Sequence, residues 1–163
     1  MNYQITKTDQ NYNFDAVRTV YYQTWNYSYR GLVPQVFLDN IDPKTTWHPE
    51  TRWDNTLIAV TSDGQTIGVC TYGPARRKKY AGFGEIYSLY VLPKWHHQGI
   101  GQKLFQAALD ILQQHFTDIY LIVLKANLAA QAFYELFGFT ATTDLLADQT
   151  SYGILHEVVY IKK

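Results

Sequence analysis

Apolar and polar positions along the chain change period repeatedly, and each change marks the boundary of a short element. Tyr3 to Thr8 alternates, with Tyr3 and Ile5 set against Gln4 and Thr6, and reads as a first strand. Val17, Val20, Tyr21 and Trp25 then recur at helical spacing and predict a helix over 13–29, with Asn13 or Asp15 near its start and Gly31 just past its end. Pro34 to Asp39 suits a short second helix, because proline is tolerated in a first turn. Residues 42–54 carry two prolines and little periodicity, and read as loop with at most a helical turn. Two β-prone runs, Thr56 to Thr61 and Gln65 to Tyr72, are joined by Ser62-Asp63-Gly64, a hairpin signal in which Gly64 supplies positive φ.

The second half is more regular. From Glu85 to Leu92 both alternating sets are mostly apolar, Ile86, Ser88, Tyr90 and Leu92 against Glu85, Tyr87, Leu89 and Val91, as in a strand covered on both faces. Pro93 stops it. A helix begins near Gly99, with Ile100, Leu104, Ala108, Ile111 and His115 along one stripe. There follow a strand over Ile119 to Leu124, a helix over Asn127 to Phe137 closed by Gly138, and two strands, Phe139 to Thr143 and Tyr152 to Ile161. No internal repeat, linker or low-complexity stretch interrupts this order, so residues 1–163 read as a single domain.

Composition narrows the field mainly by exclusion. Lys+Arg 14 balances Asp+Glu 14, which leaves no general electrostatic reason to expect nucleic acid or a membrane surface as partner. No apolar run approaches the length of a membrane span, and the start MNYQITKTDQ lacks the pattern of a signal peptide, so a cytoplasmic location is expected. The single cysteine, Cys70, lies in an apolar strand pattern and reads as a small core residue.

The candidate chemistry starts at the junction His96-His97-Gln98-Gly99-Ile100-Gly101. Helices usually open on a Ser, Thr, Asp or Asn that satisfies a free first-turn N–H, and no such cap is present. Gly99 and Gly101 stand where glycine costs a helix about 1 kcal/mol each against alanine. Bare donors, close backbone approach and the positive end of a helix dipole together suit a pyrophosphate. The plainer reading is a strand-to-helix turn using glycine for freedom. A dinucleotide fold fits less well, because Leu104 stands in place of the third glycine and the strand Ile119 to Leu124 ends without an acidic residue. A metal site on His96 and His97 is disfavoured, since adjacent residues diverge and no third ligand is spaced nearby; the two histidines are read as facing solvent or phosphate. Further on, Asn127, Ala130 and Tyr134 share one helix face and can line a groove; the plainer reading makes Asn127 a helix cap and Tyr134 a half-buried core aromatic.

Together these stretches, from Gly84 through Phe139, closely resemble the GCN5-related N-acetyltransferase (GNAT) superfamily. The resemblance implies an α/β fold: a mostly antiparallel twisted sheet with a central parallel strand pair, flanked by about four helices. It also implies acetyl-CoA as co-substrate, its diphosphate held by the amides of His97, Gln98, Gly99, Ile100, Gly101 and Gln102. His96 stands where the family usually has Arg or Gln, and His97 replaces a common glycine. The edge of Leu89, Tyr90 and Val91 would pair with the pantetheine arm, with Asn127 and Ala130 beside it. Tyr134 matches the tyrosine that protonates the departing thiolate, and Glu85 stands where some members carry a general base. Glu85 reads equally well as a strand-end carboxylate paired with Arg76 or Arg77.

The implied reaction is direct attack of a primary amine on the thioester, and a small-molecule amine is the leading acceptor. A protein N-terminus or lysine, or a non-catalytic acyl-CoA-binding module, are the alternatives; a nucleotide-dependent enzyme using the same loop is a third class. Tyr22, Trp25, Tyr29 and Trp47 could wall in a cationic or apolar amine, or be core aromatics. Arg76-Arg77-Lys78-Lys79 points towards an acidic acceptor or is simply solvated. Exposed aromatics and the C-terminal strand leave room for a homodimer.

Overall fold

In the computed structural model, which describes residues 2–163, the apolar runs pair into one sheet; Met1, the first residue of the start read above, lies outside it. The strands are β1 (Tyr3–Lys7), β2 (Thr56–Thr61), β3 (Thr66–Pro74), β4 (Gly84–Val91), β5 (Ile119–Leu124), β6 (Thr140–Thr150) and β7 (Gly153–Lys162). Their order across the sheet is β1-β2-β3-β4-β5-β7-β6, antiparallel throughout except for the central β4–β5 pair. The helices are α1 (Phe14–Ser28), α2 (Gln35–Asp39), α3 (Pro43–Thr46), α4 (Ile100–Leu112) and α5 (Leu128–Leu136). The mixed α/β architecture is the one expected.

Residues 42–54 are more helical than their periodicity predicts. Asp42 caps α3 by accepting from the Lys44 amide at 3.0 Å, and a 3-10 stretch runs over Pro49–Asn55. Both start at a proline, whose fixed φ favours a first turn even where no apolar stripe follows.

Two sides of the sheet are covered by different helices. The Tyr21 hydroxyl on α1 meets the Ser88 hydroxyl at 3.3 Å, and its ring lies edge-on to Tyr90. On the other face α4 packs so closely that a Cβ added to Gly68 would come 2.8 Å from Leu104 Cδ1. Phe105, fully buried on α4, gathers Phe133, Phe137 and Phe139 around it.

The simple alternation expected in β4 fails at one residue. Thr71 pairs with Ser88 but Tyr72 pairs with Ile86, so Tyr87 is an extra residue, a β-bulge. Directly opposed residues share a face and successive ones alternate. Ile86 therefore faces away from Ser88 and Tyr90 rather than with them, while Glu85 shares their side. The same bulge coincides with the end of β4–β5 pairing, which stops at Ile86↔Leu121. Beyond it the parallel pair splays, and β5 continues on β7 alone.

β6 is longer than the expected Phe139 to Thr143 because its second half pairs with β7 from Leu145↔Val158 to Thr150↔Gly153. The run Asp144-Leu145-Leu146-Ala147 carries little β propensity, and the pairing with β7 decides its conformation. The tip of this hairpin reaches α2: a Cβ on Gly153 would lie 3.2 Å from Pro34 Cγ, and the Tyr152 and Phe37 rings are 6.4 Å apart.

Candidate active site

Where β4 leaves β5, a cleft of about 1020 Å³ opens between the strands and runs from the start of α4 to the β6–β7 hairpin. Sequence-predicted residues from both helices and from the central strand line it, including Leu89, Tyr90, His97, Gly101, Asn127 and Tyr134.

At one end stands the start of α4. Gly99 caps it in the left-handed region at φ 80°, with no side-chain hydrogen bond, and His97 is also left-handed at φ 62°. The first amide to find an acceptor is that of Lys103, bonded to the Gly99 carbonyl at 3.2 Å. Among the described residues no protein acceptor meets the amides of His97, Gln98, Gly99, Ile100, Gly101 and Gln102. Nothing lies within 4 Å of a Cβ placed on Gly99, so the donor array is open to a bulky anion. His96 does not face that array. Its Nε2 is 2.7 Å from the Val91 carbonyl and its ring is edge-on to Tyr27, so it ties the loop to the end of β4. The reading of His96 as facing solvent or phosphate is corrected accordingly. The Val91 carbonyl, which also accepts from Thr24 Oγ1 at 3.3 Å, is occupied and cannot serve a passing ligand.

The middle of the cleft is formed by the open edge of β4 and one face of α5. Asn127 is the N-cap of α5, accepting from the Ala130 amide at 3.2 Å, which is its plainer reading, and it lines the cleft as well. Tyr134 sits among Phe105, Phe133 and Phe139, and its hydroxyl has no hydrogen-bond partner among the described residues. Burial holds the phenol above its ordinary value of 10.0, so it keeps its proton throughout the neutral range.

Glu85 departs from the role of a free base. It is buried, and its carboxylate accepts from the Arg76 amide at 2.9 Å, from Arg76 Nη2 at 2.6 Å and Nε at 3.2 Å, and from the Tyr120 hydroxyl at 2.5 Å. A carboxylate saturated by donors on the wall of a fold is an anchor for the β3–β4 connection. Glu85→Gln is expected to lower stability by about 1–3 kcal/mol, the range for charged hydrogen bonds in a buried setting, while the pH profile of activity stays unshifted. Thermal melting and a pH series on the variant check this.

At the far end lie Trp25 and Tyr29, their ring centroids 4.6 Å apart, with Leu155 and Glu157 of β7. Burial pushes the Tyr29 phenol up to about 12. The other two expected wall residues are elsewhere. Trp47 packs behind Trp25 and Tyr21 as a core aromatic, and Tyr22 is exposed on the outer side of α1 in a separate groove with Arg30 and Pro93. Of the basic run, Arg76 is engaged by Glu85 and Lys79 by Asp144 at 3.0 Å, so half of its charge serves the fold; Arg77 reaches the cleft. Sequence reasoning missed Glu157. Its signal was a carboxylate at the only acidic position of the apolar run Leu155 to Ile161.

A family model described as the Acetyltransferase (GNAT) family matches residues 14–139. An N-acetyltransferase of Archaeoglobus fulgidus is 32% identical over 139 residues, covering 80% of this chain and 88% of its own. The N-acetyltransferase YuaI of Bacillus subtilis is 24% identical over 127 residues, 74% of this chain and 71% of its own. Among solved structures, the PaiA N-acetyltransferase of Thermoplasma acidophilum in complex with coenzyme A superimposes with TM-score 0.76 at 20% identity, over 100% of this chain and 99% of its own.

Proposed function

The chain belongs to the acetyltransferase (GNAT) family, and we propose that it transfers an acetyl group from acetyl-CoA to a primary amine of a small molecule by direct attack. The observation that carries this reading is one cleft holding both the bare amides of 97–102 and the unpartnered Tyr134 hydroxyl. The amides of His97 to Gln102 bind the diphosphate, and the open edge of β4 past the Tyr87 bulge takes the pantetheine arm beside Asn127 and Ala130. The residues fit the group, since the donors are unpaired and the glycines leave the array uncovered. Bound there, acetyl-CoA supplies an activated acyl carbon at which a C–N bond replaces the C–S bond.

Tyr134 donates its proton to the sulfur as the bond breaks. A phenol raised by burial is a weak donor towards a solvated thiolate, but dry surroundings raise a thiol too, as they do for buried Cys70. Amides on the free edge of β4 polarise the carbonyl.

A small acceptor is favoured over a peptide because the far end of the cleft is walled by the bulky side chains of Trp25, Tyr29 and Leu155. Beside it the β6–β7 tip approaches α2, with Gly153 near Pro34 and Tyr152 near Phe37. A thiol-release assay with acetyl-CoA tests the proposal on 2-phenylethylamine, 1,4-diaminobutane, glycinamide and a peptide with N-terminal alanine. Turnover of one of the three small amines is expected; turnover of the peptide alone would replace the small acceptor with a protein one.

A further inference from the structure

Among the described residues three carboxylates line this cleft: Asp148, exposed on β6, and the less accessible Glu85 and Glu157. These last two, on the same face of the sheet, are treated in opposite ways. Glu85 is saturated by Arg76 and Tyr120, whereas Glu157, half-buried on β7, has no hydrogen bond and no ion pair. Half-buried carboxylates are ordinarily paired, and one left bare in a cleft is a group awaiting a ligand. Glu157 stands directly opposite Leu124, the last residue of β5 and past the end of its pairing with β4, and opposite Leu146 on β6. Leu124 belongs to the small apolar cluster that Trp25 and Tyr29 pack against, so this carboxylate lies beside an aromatic corner.

We infer that Glu157 is the seat of the acceptor's ammonium group and the base that takes its first proton. This rests on the acetyl-transfer reading above. An ammonium ion suits a bare carboxylate flanked by aromatic rings. Of the two protons the nitrogen loses on becoming an amide, Glu157 accepts the first and passes it to water at the mouth. The second leaves to water once the C–N bond has formed, and Tyr134 protonates the sulfur and is reprotonated from water; one proton is released overall.

The charged and titratable groups that face Glu157 are Asp148 from β6, Arg77 from the β3–β4 connection and Tyr29 from the end of α1. Burial first, and then the Asp148 charge, raise the Glu157 carboxyl above its ordinary 4.5, while Arg77 opposes them. A carboxyl raised on folding binds protons more readily folded than unfolded. Stability is therefore greatest below 4.5 and falls as pH rises through the window between the unfolded and folded values.

Two readouts test the assignment. Glu157→Gln is expected to melt at higher temperature than wild type at neutral pH, with the gain vanishing on acidification below the carboxylate range. With whichever of the four amines wild type turns over fastest, E157Q is expected to lose roughly 100-fold in kcat/KM, the lower part of the range for a positioned base, and to lose the acidic limb of the pH profile. Coenzyme A affinity stays unchanged. An E157Q enzyme with wild-type kcat/KM and an intact acidic limb overturns the assignment and leaves acetyl transfer standing. Wild-type protein that neither binds coenzyme A nor releases thiol with any of the four overturns both.

Discussion

Replacing Tyr134 with phenylalanine is expected to lower kcat for acetyl transfer by about 10³-fold, within the span attributed to a positioned general acid. Melting temperature and coenzyme A affinity should stay at their wild-type values. The hydroxyl has no protein partner to lose, and the contacts of the ring with Phe105, Phe133 and Phe139 are kept by phenylalanine. The loss is therefore confined to the step in which the sulfur gains a proton. Stopped-flow detection of the released thiol, alongside calorimetric titration with coenzyme A, separates the two quantities. Undiminished kcat would remove Tyr134 as the acid and return weight to a non-catalytic acyl-CoA-binding module.

Gly101→Glu is expected to weaken coenzyme A binding by about 10³-fold, because like charges near 4 Å at a protein surface repel by about 4 kcal/mol and every 1.4 kcal/mol is tenfold. The backbone should accept the change. Gly101 is helical, and a Cβ there meets only Val91 Cγ2 at 3.7 Å and Phe133 Cε2 at 4.0 Å, which are ordinary contacts. A carboxylate in the first turn of α4 also favours the helix by roughly 0.3–1 kcal/mol through the dipole. The variant should thus melt no lower than wild type and yet fail to bind, a combination that misfolding cannot imitate. Unchanged affinity by calorimetry would move the diphosphate away from the start of α4.

Much of the architecture was legible along the chain. The helical stripe of α4, the Gly64 hairpin, the caps at Asn13, Asn127 and Gly138, and the β4–α4–β5–α5 order all follow from local rules. Periodicity, glycine φ and helix capping act over a few residues and need no distant partner. The uncapped start of α4 was readable for the same reason, since the absence of a capping side chain is itself a local property. What required the tertiary structure was every feature that depends on a neighbouring strand. The Tyr87 bulge exists because β3 opposes β4 in a shifted register, and it puts Ile86 and Ser88, expected on one face, on opposite faces. The second half of β6 is a strand because β7 lies beside it. Glu85 and Glu157 are both single carboxylates in apolar strands, and only the groups brought to each from other elements distinguish an anchor from a free acid. The chain alone decides which segments coil or extend, because those choices are made by adjacent residues. Which of its carboxylates has its charge already answered is decided by folding, because the answering donors come from other parts of the sequence.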